Sequence, residues 1–434
     1  MRFELTHPLK ETGPEPVAFD QTLPPPLLFS YSPSILIKLM QRYGDMMLIG
    51  MVGAPNKGKS TIFSAITESE VDIADYPFTT IKPNLGVAYA TSECPDKSLG
   101  IKCHPRNSAC IDGTRLIPLN VIDVAGLVPG ASLGKGMGSQ FLNDLVNSEA
   151  LIQVVDVSGE TGVDGNPCSG CDPSEEVKMV YDELVQWLSN IIKKHLGSLS
   201  RRKDGSAALA EMLSGFGANP EKIQEIADSC GLPLSNIAWD EEAVTTFAEK
   251  FIISNKPVLV AANKLDKSNA GKLEALISKL PGHVVVGCSG AIELALKKAS
   301  KNGLISYSTW KKTFEIIGKP SIEQNKALSY MMNYVKEHNG TGIQEIINKC
   351  VFGLLDNIVV YPVENENKYT DHFDNVLPDA ILLKKGSTAL DLAASIHTDL
   401  SKHMLYAIDA RTKNRLSKEY VLQNNDIIKI VSTR

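Results

Sequence analysis

"MVGAPNKGKSTIFSA", residues 51–65, contains Gly53-Ala54-Pro55-Asn56-Lys57-Gly58-Lys59-Ser60, the full spacing G-x-x-x-x-G-K-[ST], with Thr61 directly after it. A polyphosphate needs a concave nest of backbone N–H groups, and glycine at both ends lets the chain curl to form one. Lys59 adds a point charge at the β/γ-phosphates, and the Ser60 hydroxyl is placed to ligate Mg²⁺. The flanks agree with that reading. Met47–Val52 is an apolar run suited to a buried parallel strand. Thr61–Ile66 suits a helix whose N-terminal dipole points at the phosphates. Residues 53–61 are therefore the expected nucleotide cradle, and the fold class is α/β, a mostly parallel sheet with helices on both faces.

Three further pieces follow in the order a nucleotide switch demands. "LIPLNVID" ends in Asp123-Val-Ala-Gly126, a D-x-x-G at a strand's carboxyl end. Asp123 is placed to hold Mg²⁺ through a water and the Gly126 N–H to meet the γ-phosphate. Between the two motifs lies Asp75-Tyr-Pro-Phe-Thr-Thr80-Ile81, where Thr80 is expected to complete the Mg²⁺ shell only while the γ-phosphate is present. The base is chosen by "KPVLVAANKLD", a strand running into Asn263-Lys264-Leu265-Asp266. A carboxylate at Asp266 accepts two hydrogen bonds from guanine N1–H and the exocyclic amine; adenine would leave the charge unpaired. A fifth strand, His283–Cys288, ends in Ser289-Gly290-Ala291, whose backbone is expected to reach the guanine oxygen. Strand carboxyl ends are where open α/β sheets bind ligands. The expected ligand is GTP.

Outward from these motifs the chain falls into segments. Residues 1–45 hold seven of the 23 prolines and no sustained periodicity, which suits a loosely draped tail, or a stretch ahead of a true start at Met46-Met47. Residues 46–158 and 256–355 form the nucleotide domain. Residues 159–255 interrupt it as a helical insertion, opened by Asp172-Pro173-Ser-Glu175 as cap, first-turn proline and capping acid. Val177, Val180, Leu184, Leu188 and Ile191 give it a core-facing stripe, Lys193-Lys194-His195 complement the end of its dipole, and further helices are expected at 207–214, 220–230 and 241–254. Residues 356–434 alternate strand and helix signals, with a basic edge of Arg411, Lys413, Arg415 and Lys418.

The net charge of −6 excludes a uniformly basic nucleic-acid coat while allowing local patches, such as "KKHLGSLSRRK" at 193–203. No apolar stretch reaches the roughly 18 residues of a membrane span, and the start lacks a secretory pattern. No membrane partner is expected. Eight cysteines in 434 residues do not make a disulfide scaffold, so the cytoplasm is the expected compartment. Cys94, Cys103 and Cys110, with His104, offer four potential zinc ligands, but no C-x-x-C knuckle is present and His104 adjoins Cys103. Cys168-Ser-Gly-Cys171 has the tighter spacing without a second pair nearby. Both groups read as reduced thiols in loops.

"GAPNKGKST", "DYPFTTIKPNLG", "DVAGLVPGASLGKGMGSQFL" and "NKLD" resemble the Obg-like GTPases, and the Leu-Val-Pro-Gly-Ala-Ser stretch and the C-terminal segment look most like the YchF branch in its archaeal form. The last segment resembles a TGS domain, a β-grasp module. The resemblance implies a Mg²⁺-dependent GTPase whose insertion and TGS-like domain contact RNA or the ribosome. Bacterial and eukaryotic members of the branch lose the guanine-reading Asp and favour ATP; this chain keeps Asp266. The place of the usual water-positioning Gln is Leu127, which implies a potassium ion held partly by Asn56. Lys59, Thr80, Asn56 and Gly126 are then the catalytic residues, and Ser60, Thr80 and Asp123 the Mg²⁺ residues. Lys57 stands where a small apolar residue is usual, adding charge without evident purpose. A regulatory GTPase, taken as a monomer, is the leading expectation. The alternative is a nucleotide-gated RNA-binding module with slow, incidental turnover. A metabolic P-loop kinase conflicts with the pairing of D-x-x-G and N-K-x-D.

Overall fold

The computed structural model describes residues 47–67, 84–106, 108–124, 147–235 and 237–433. The first apolar run forms β1 (Leu48–Val52), and α1 (Lys59–Thr67) follows the glycine-rich loop. β2 (Leu85–Glu93), β3 (Ala109–Ile111), β4 (Thr114–Asp123), β5 (Ala150–Asp156), β6 (Val258–Asn263) and β7 (Val284–Gly287) complete a seven-stranded sheet. Its order is β2-β4-β1-β5-β6-β7, with β3 paired to the start of β4. β4, β1, β5, β6 and β7 run parallel, while β2 and β3 lie antiparallel to β4.

The parallel strands read as unbroken apolar runs because both faces are covered. Every residue of β5 is buried. Ile152 and Val154 pack with Ile62 and Ala65 of α1, whereas Leu151 joins the core beneath the insertion. Registry places Asp123 beside Met51, Asp156 beside Asn263 and Gly287 beside Ala262, so the carboxyl ends align along one edge.

The insertion begins with α2 (Pro173–Leu199), 27 residues long, where the Asp172 carboxylate accepts from Ser174 N–H. Val177, Val180, Leu184 and Leu188 are buried as the spacing predicts, but the next buried apolar position is Ile192 rather than Ile191. A step of four lands about 40° from Leu188 around the helix and a step of three about 60° on the other side, so Ile192 stays nearer the centre of the buried stripe. The helix also outruns the expected end. Lys193, Lys194 and His195 lie inside it, and Lys193 pairs with Glu241 instead of facing the last carbonyls. α3 (Gly205–Met212), α4 (Pro220–Cys230) and α5 (Glu241–Asn255) pack against α2 through Phe216, Trp239, Phe247 and Phe251. Those rings meet at centroid distances of 5.0–6.0 Å, a spacing that favours tilted and edge contacts.

After β6 come α6 (Ala270–Lys279) and, beyond β7, α7 (Gly290–Lys301). A two-stranded hairpin, β8 (Ile305–Tyr307) with β9 (Phe314–Ile316), precedes α8 (Ile322–Glu337) and α9 (Ile343–Asn348).

The last segment forms a second sheet, β11-β10-β14-β12-β13, from β10 (Asn357–Val363), β11 (Ile381–Lys384), β12 (Met404–Asp409), β13 (Arg415–Leu416) and β14 (Asp426–Ser432). α10 (Ala389–Ile396) crosses one face, capped reciprocally by Thr388 and Asp391. β10 is buried on both faces. Ile358 and Val360 meet Ala389 and Leu392 of α10, while Val359, Tyr361 and Val363 meet Cys94, Cys103 and Ile117 of the first sheet's outer strands and loops. Among the described residues no helix is long and apolar enough to cross a membrane.

Candidate functional site

The glycine-rich loop closes over β5. A Cβ on Gly53 would stand 2.7 Å from the Val154 carbonyl oxygen. One on Gly58, whose φ is +85°, would stand 2.3 Å from the Asn263 Nδ2. Both glycines are thus required by approach, and the second also by conformation. The first turn of α1 begins with Ile62 N–H donating to the Gly58 carbonyl (2.9 Å), so the N–H groups of Gly58, Lys59, Ser60 and Thr61 make no backbone hydrogen bond among the described residues. This is the anion-seeking end of a helix.

Lys59, Ser60 and Asp123 come together there. Lys59 Nζ pairs with Asp123 Oδ1, and Ser60 Oγ donates to Asp123 Oδ2 at 3.3 Å. Neighbouring oxygens around an octahedral Mg²⁺ lie about 2.9 Å apart, so this hydroxyl and carboxylate are spaced to share a divalent cation with little movement. Asn56 sits exposed with φ +64°, and its Nδ2 donates to the Gly165 carbonyl (3.0 Å). Its Oδ1 has no hydrogen-bond partner among the described residues. Thr80, Gly126 and Leu127 lie outside the described residues, as does the whole stretch Asp75–Ile81.

At the base end the structure redistributes the expected roles. Asn263 is buried, and its amide braces two loops: Nδ2 donates to the Lys57 carbonyl (2.9 Å), and Oδ1 accepts from Gly290 N–H (3.2 Å). Lys264, in the left-handed region, sends Nζ to Asp156 Oδ2 at 2.8 Å. Burial works to raise the Asp156 pKa, but the hydrogen bonds from Lys264, Ser158 and Thr161 outweigh it and hold the carboxyl below its ordinary value. Asp266 differs from its neighbours. It is half-buried, and its carboxylate makes no hydrogen bond or ion pair among the described residues. Of the Ser289-Gly290-Ala291 backbone expected to reach the base, two N–H groups are engaged within the protein. Ser289 N–H donates to the Thr341 carbonyl (3.0 Å) and Gly290 N–H to Asn263, which leaves the Ala291 N–H open.

Lys57 also needs correction: it has a purpose, and it does not face the phosphates. Its side chain turns inward, 1% exposed, to Glu176 Oε2 of α2 (3.0 Å; 2% exposed) and to the Thr161 carbonyl (2.9 Å). Burial pushes the Glu176 carboxyl up to about 7, with Lys57 opposing the shift. This buried ion pair bolts the phosphate loop to the insertion. The spacing of the motif did not foretell Glu176; a lysine at an apolar position was the only signal.

Glu293 of α7 was likewise missed. Fully buried, it accepts hydrogen bonds from Tyr307 (2.6 Å), Thr309 (2.6 Å) and Thr341 (2.5 Å), and so anchors the first turn of α7, which carries Ser289–Ala291.

The cysteines differ from the loop thiols expected. Cys168 and Cys171 are joined in a disulfide. Cys94 and Cys103 are buried and lie with Cys110 and Asp96, while His104 is exposed and takes no part.

Three family models match the chain: "50S ribosome-binding GTPase" over residues 48–196, "Obg-like GTPase YGR210-like, G4 motif-containing domain" over 261–365, and "TGS domain" over 373–432. The chain is 49% identical over 395 residues to an uncharacterized GTP-binding protein of Methanocaldococcus jannaschii, covering 89% of this chain and 99% of that one. It is 30% identical over 264 residues to the ribosome-binding ATPase YchF of Mycoplasma genitalium, covering 56% of this chain and 65% of that one. Among solved structures, a GTP binding protein from Pyrococcus horikoshii superposes with a TM-score of 0.74 at 38% identity, over 89% of this chain and all of the other.

Proposed function

The chain belongs to the Obg-like GTPases of the YchF type, and we propose from that premise that it hydrolyses GTP to GDP and phosphate as a regulatory switch acting on the ribosome or an RNA in the cytoplasm. The observation that carries the nucleotide choice is the open carboxylate of Asp266 beside the free Ala291 N–H. A guanine edge presents two donors and one acceptor to match them. The neighbouring Lys264 is already paired with Asp156, whereas the Asp266 carboxylate has no partner among the described residues. The M. genitalium relative is named an ATPase, which makes the retained aspartate the discriminating residue.

In this reading the nest of residues 53–61 cradles the phosphates. Lys59 leaves Asp123 for the β/γ-phosphates when they arrive, because a polyphosphate outweighs a single carboxylate. Ser60 and Asp123 would hold Mg²⁺, with Thr80 completing the shell; the ion supplies charge neutralisation at the transferring phosphoryl group. Gly126 would meet the γ-phosphate. Asn263 and Gly58 fix the loop, and Lys264 and Asp266 frame the base. The nucleotide domain spans 46–158 and 256–355, the arm 159–255 and the TGS-like domain 356–434. The arm and the TGS-like domain would make the RNA or ribosome contacts. Arg411 and Lys418 leave charge on that domain's surface, while Arg202 and Lys193 of the arm are partly neutralised by Glu211 and Glu241.

The test is turnover by the purified protein with GTP and with ATP, with and without Mg²⁺ and ribosomes. GTP hydrolysis that EDTA abolishes and ribosomes accelerate supports the switch. Hydrolysis indifferent to ribosomes, with RNA affinity that still follows the bound nucleotide, supports the slow gated module that Leu127 favours.

A cation prediction follows from Asn56. Its Nδ2 is held by Gly165, which orients Oδ1 as an open ligand at the loop's mouth. Hydrolysis is expected to run about tenfold faster in potassium than in sodium, a difference of roughly 1.4 kcal/mol in barrier. Asn56→Ala should remove most of that difference while GTP affinity stays within about twofold, since the nest and Lys59 remain. Equal rates in both salts would eliminate the cation.

A further inference from the structure

The hairpin excursion between β2 and β4 gathers four ligand atoms far along the chain from the nucleotide loop. Cys94 follows the end of β2, Asp96 opens the one-turn helix Asp96–Leu99, Cys103 lies in the loop after it, and Cys110 is on β3. One atom from each lies within 4.8 Å of all the others. Cys94 Sγ and Cys103 Sγ are 3.9 Å apart; Asp96 Oδ2 is 3.1 Å from Cys103 Sγ and 3.7 Å from Cys110 Sγ. A tetrahedron with Zn–S bonds of about 2.3 Å and a Zn–O bond of about 2.1 Å has edges of about 3.8 Å between sulfurs and about 3.6 Å between sulfur and oxygen. The 3.9 and 3.7 Å spacings match those edges, the 3.1 Å one would have to open by about 0.5 Å to admit the ion, and the sulfurs are too far apart for a sulfur–sulfur bond.

The surroundings point the same way. Asp96 Oδ1 is buried without a hydrogen bond, an orphan oxygen that a metal-bound carboxylate would carry naturally. Arg115 is fully buried beside the cluster; Nη2 donates to the Leu377 and Pro378 carbonyls (2.8 and 3.1 Å), but Nε and Nη1 have no partner. Tyr361, under the same guanidinium at 5.6 Å, has an unpartnered hydroxyl. Three thiolates and a carboxylate around a divalent ion leave a net charge of −2, which a buried cation and idle donors are suited to offset.

We propose that Cys94, Asp96, Cys103 and Cys110 form a structural zinc site that locks the excursion against the C-terminal sheet. Three sulfurs and one oxygen in a closed tetrahedron select zinc over magnesium or calcium, and the absence of an open position makes the site structural. The locked segment holds that sheet through its backbone: His104 N–H donates to the Val376 carbonyl (2.8 Å) and Arg106 N–H to the Pro378 carbonyl (2.9 Å). Cys94 and Cys103 pack in one core with Val359, Tyr361 and Ile427 of β10 and β14.

The experiment is elemental analysis of the full chain as purified, followed by exchange into Co²⁺. The expected result is one zinc per chain, and a cobalt form with the intense visible bands of a tetrahedral thiolate site. Cys103→Ser should reduce bound zinc at least tenfold. Cys168→Ser/Cys171→Ser should leave it at one per chain. GTP binding confirms that each variant is folded; if Cys103→Ser is not, the wild-type cobalt spectrum decides. A protein that is free of metal as purified and develops no thiolate–cobalt bands in excess Co²⁺ overturns the proposal. So does full zinc occupancy in a folded Cys103→Ser protein.

Discussion

Asp266→Asn is expected to turn the protein from guanine to xanthine nucleotides. The Asp266 carboxylate stands half-buried and unpaired at the end of β6, held by a left-handed Lys264 and by Tyr330, whose hydroxyl donates to the Asp266 carbonyl at 3.0 Å. Guanine offers two N–H donors to that carboxylate. Each charge-assisted bond is worth about 1.5–3 kcal/mol, so losing the one to the exocyclic amine costs about 1.5–3 kcal/mol, or about 10–10² in affinity for guanine. Asparagine reverses one hydrogen-bond polarity: its NH₂ meets the oxygen that xanthine carries where guanine has an amine. Titration of fluorescent GTP, XTP and ATP analogues measures the switch. Wild-type affinity for ATP equal to that for GTP would show that Asp266 does not read the base.

The second large effect is on stability and depends on pH. Lys57→Met leaves Glu176 in the core without its cation, and breaking a buried pair costs about 3–5 kcal/mol. The sign with pH is set by Glu176. Burial raises its folded value to about 7 from an ordinary 4.5, against the pull of Lys57. A carboxyl raised on folding contributes stability that is fully present below its unfolded value and lost as pH rises through the folded one. In the wild type that window runs from about 4.5 to about 7. In Lys57→Met its upper end moves higher, so urea denaturation should show a small loss at pH 5 and the full loss at pH 8.5. Lys57→Met/Glu176→Leu should recover most of it, since an apolar pair of like volume replaces an ion pair at little cost. A loss independent of pH would mean that Glu176 is not the group left exposed to the penalty.

The sequence showed the architecture wherever a pattern has a single structural solution. The loop of residues 53–61 between an apolar strand and a helix, the cap Asp172-Pro173 and the strand at Val258 all appear within a residue or two of their expected places. The helix end after Lys193–His195 was misjudged because a dipole-complementing charge also serves as a surface ion pair in mid-helix, here with Glu241. At the site, spacing told which residues are present and said nothing of which are already engaged. Asn263, Ser289 and Gly290 are of the expected types, yet their hydrogen bonds run to the protein itself. Glu176, Glu293 and Asp96 were illegible because each meets its partners across long stretches of chain or within a cluster whose fourth member only the fold selects. His104, the fourth member suggested by proximity in sequence, points to the surface.

The two-faced burial of β10 has a mechanical consequence. With Ile358 and Val360 under α10 and Val359, Tyr361 and Val363 against the outer strands of the first sheet, the strand is a shared wall. Swinging the terminal module on a hinge would tear one face of that wall from its packing and expose Tyr361 and Val359 to water. In the proposed switch, a change at the phosphates would therefore leave the protein by another route. The element that reaches the phosphate loop directly is the long helix of the arm, through the buried Lys57–Glu176 pair, and in the proposed switch it is the one placed to carry a change at the phosphates outward.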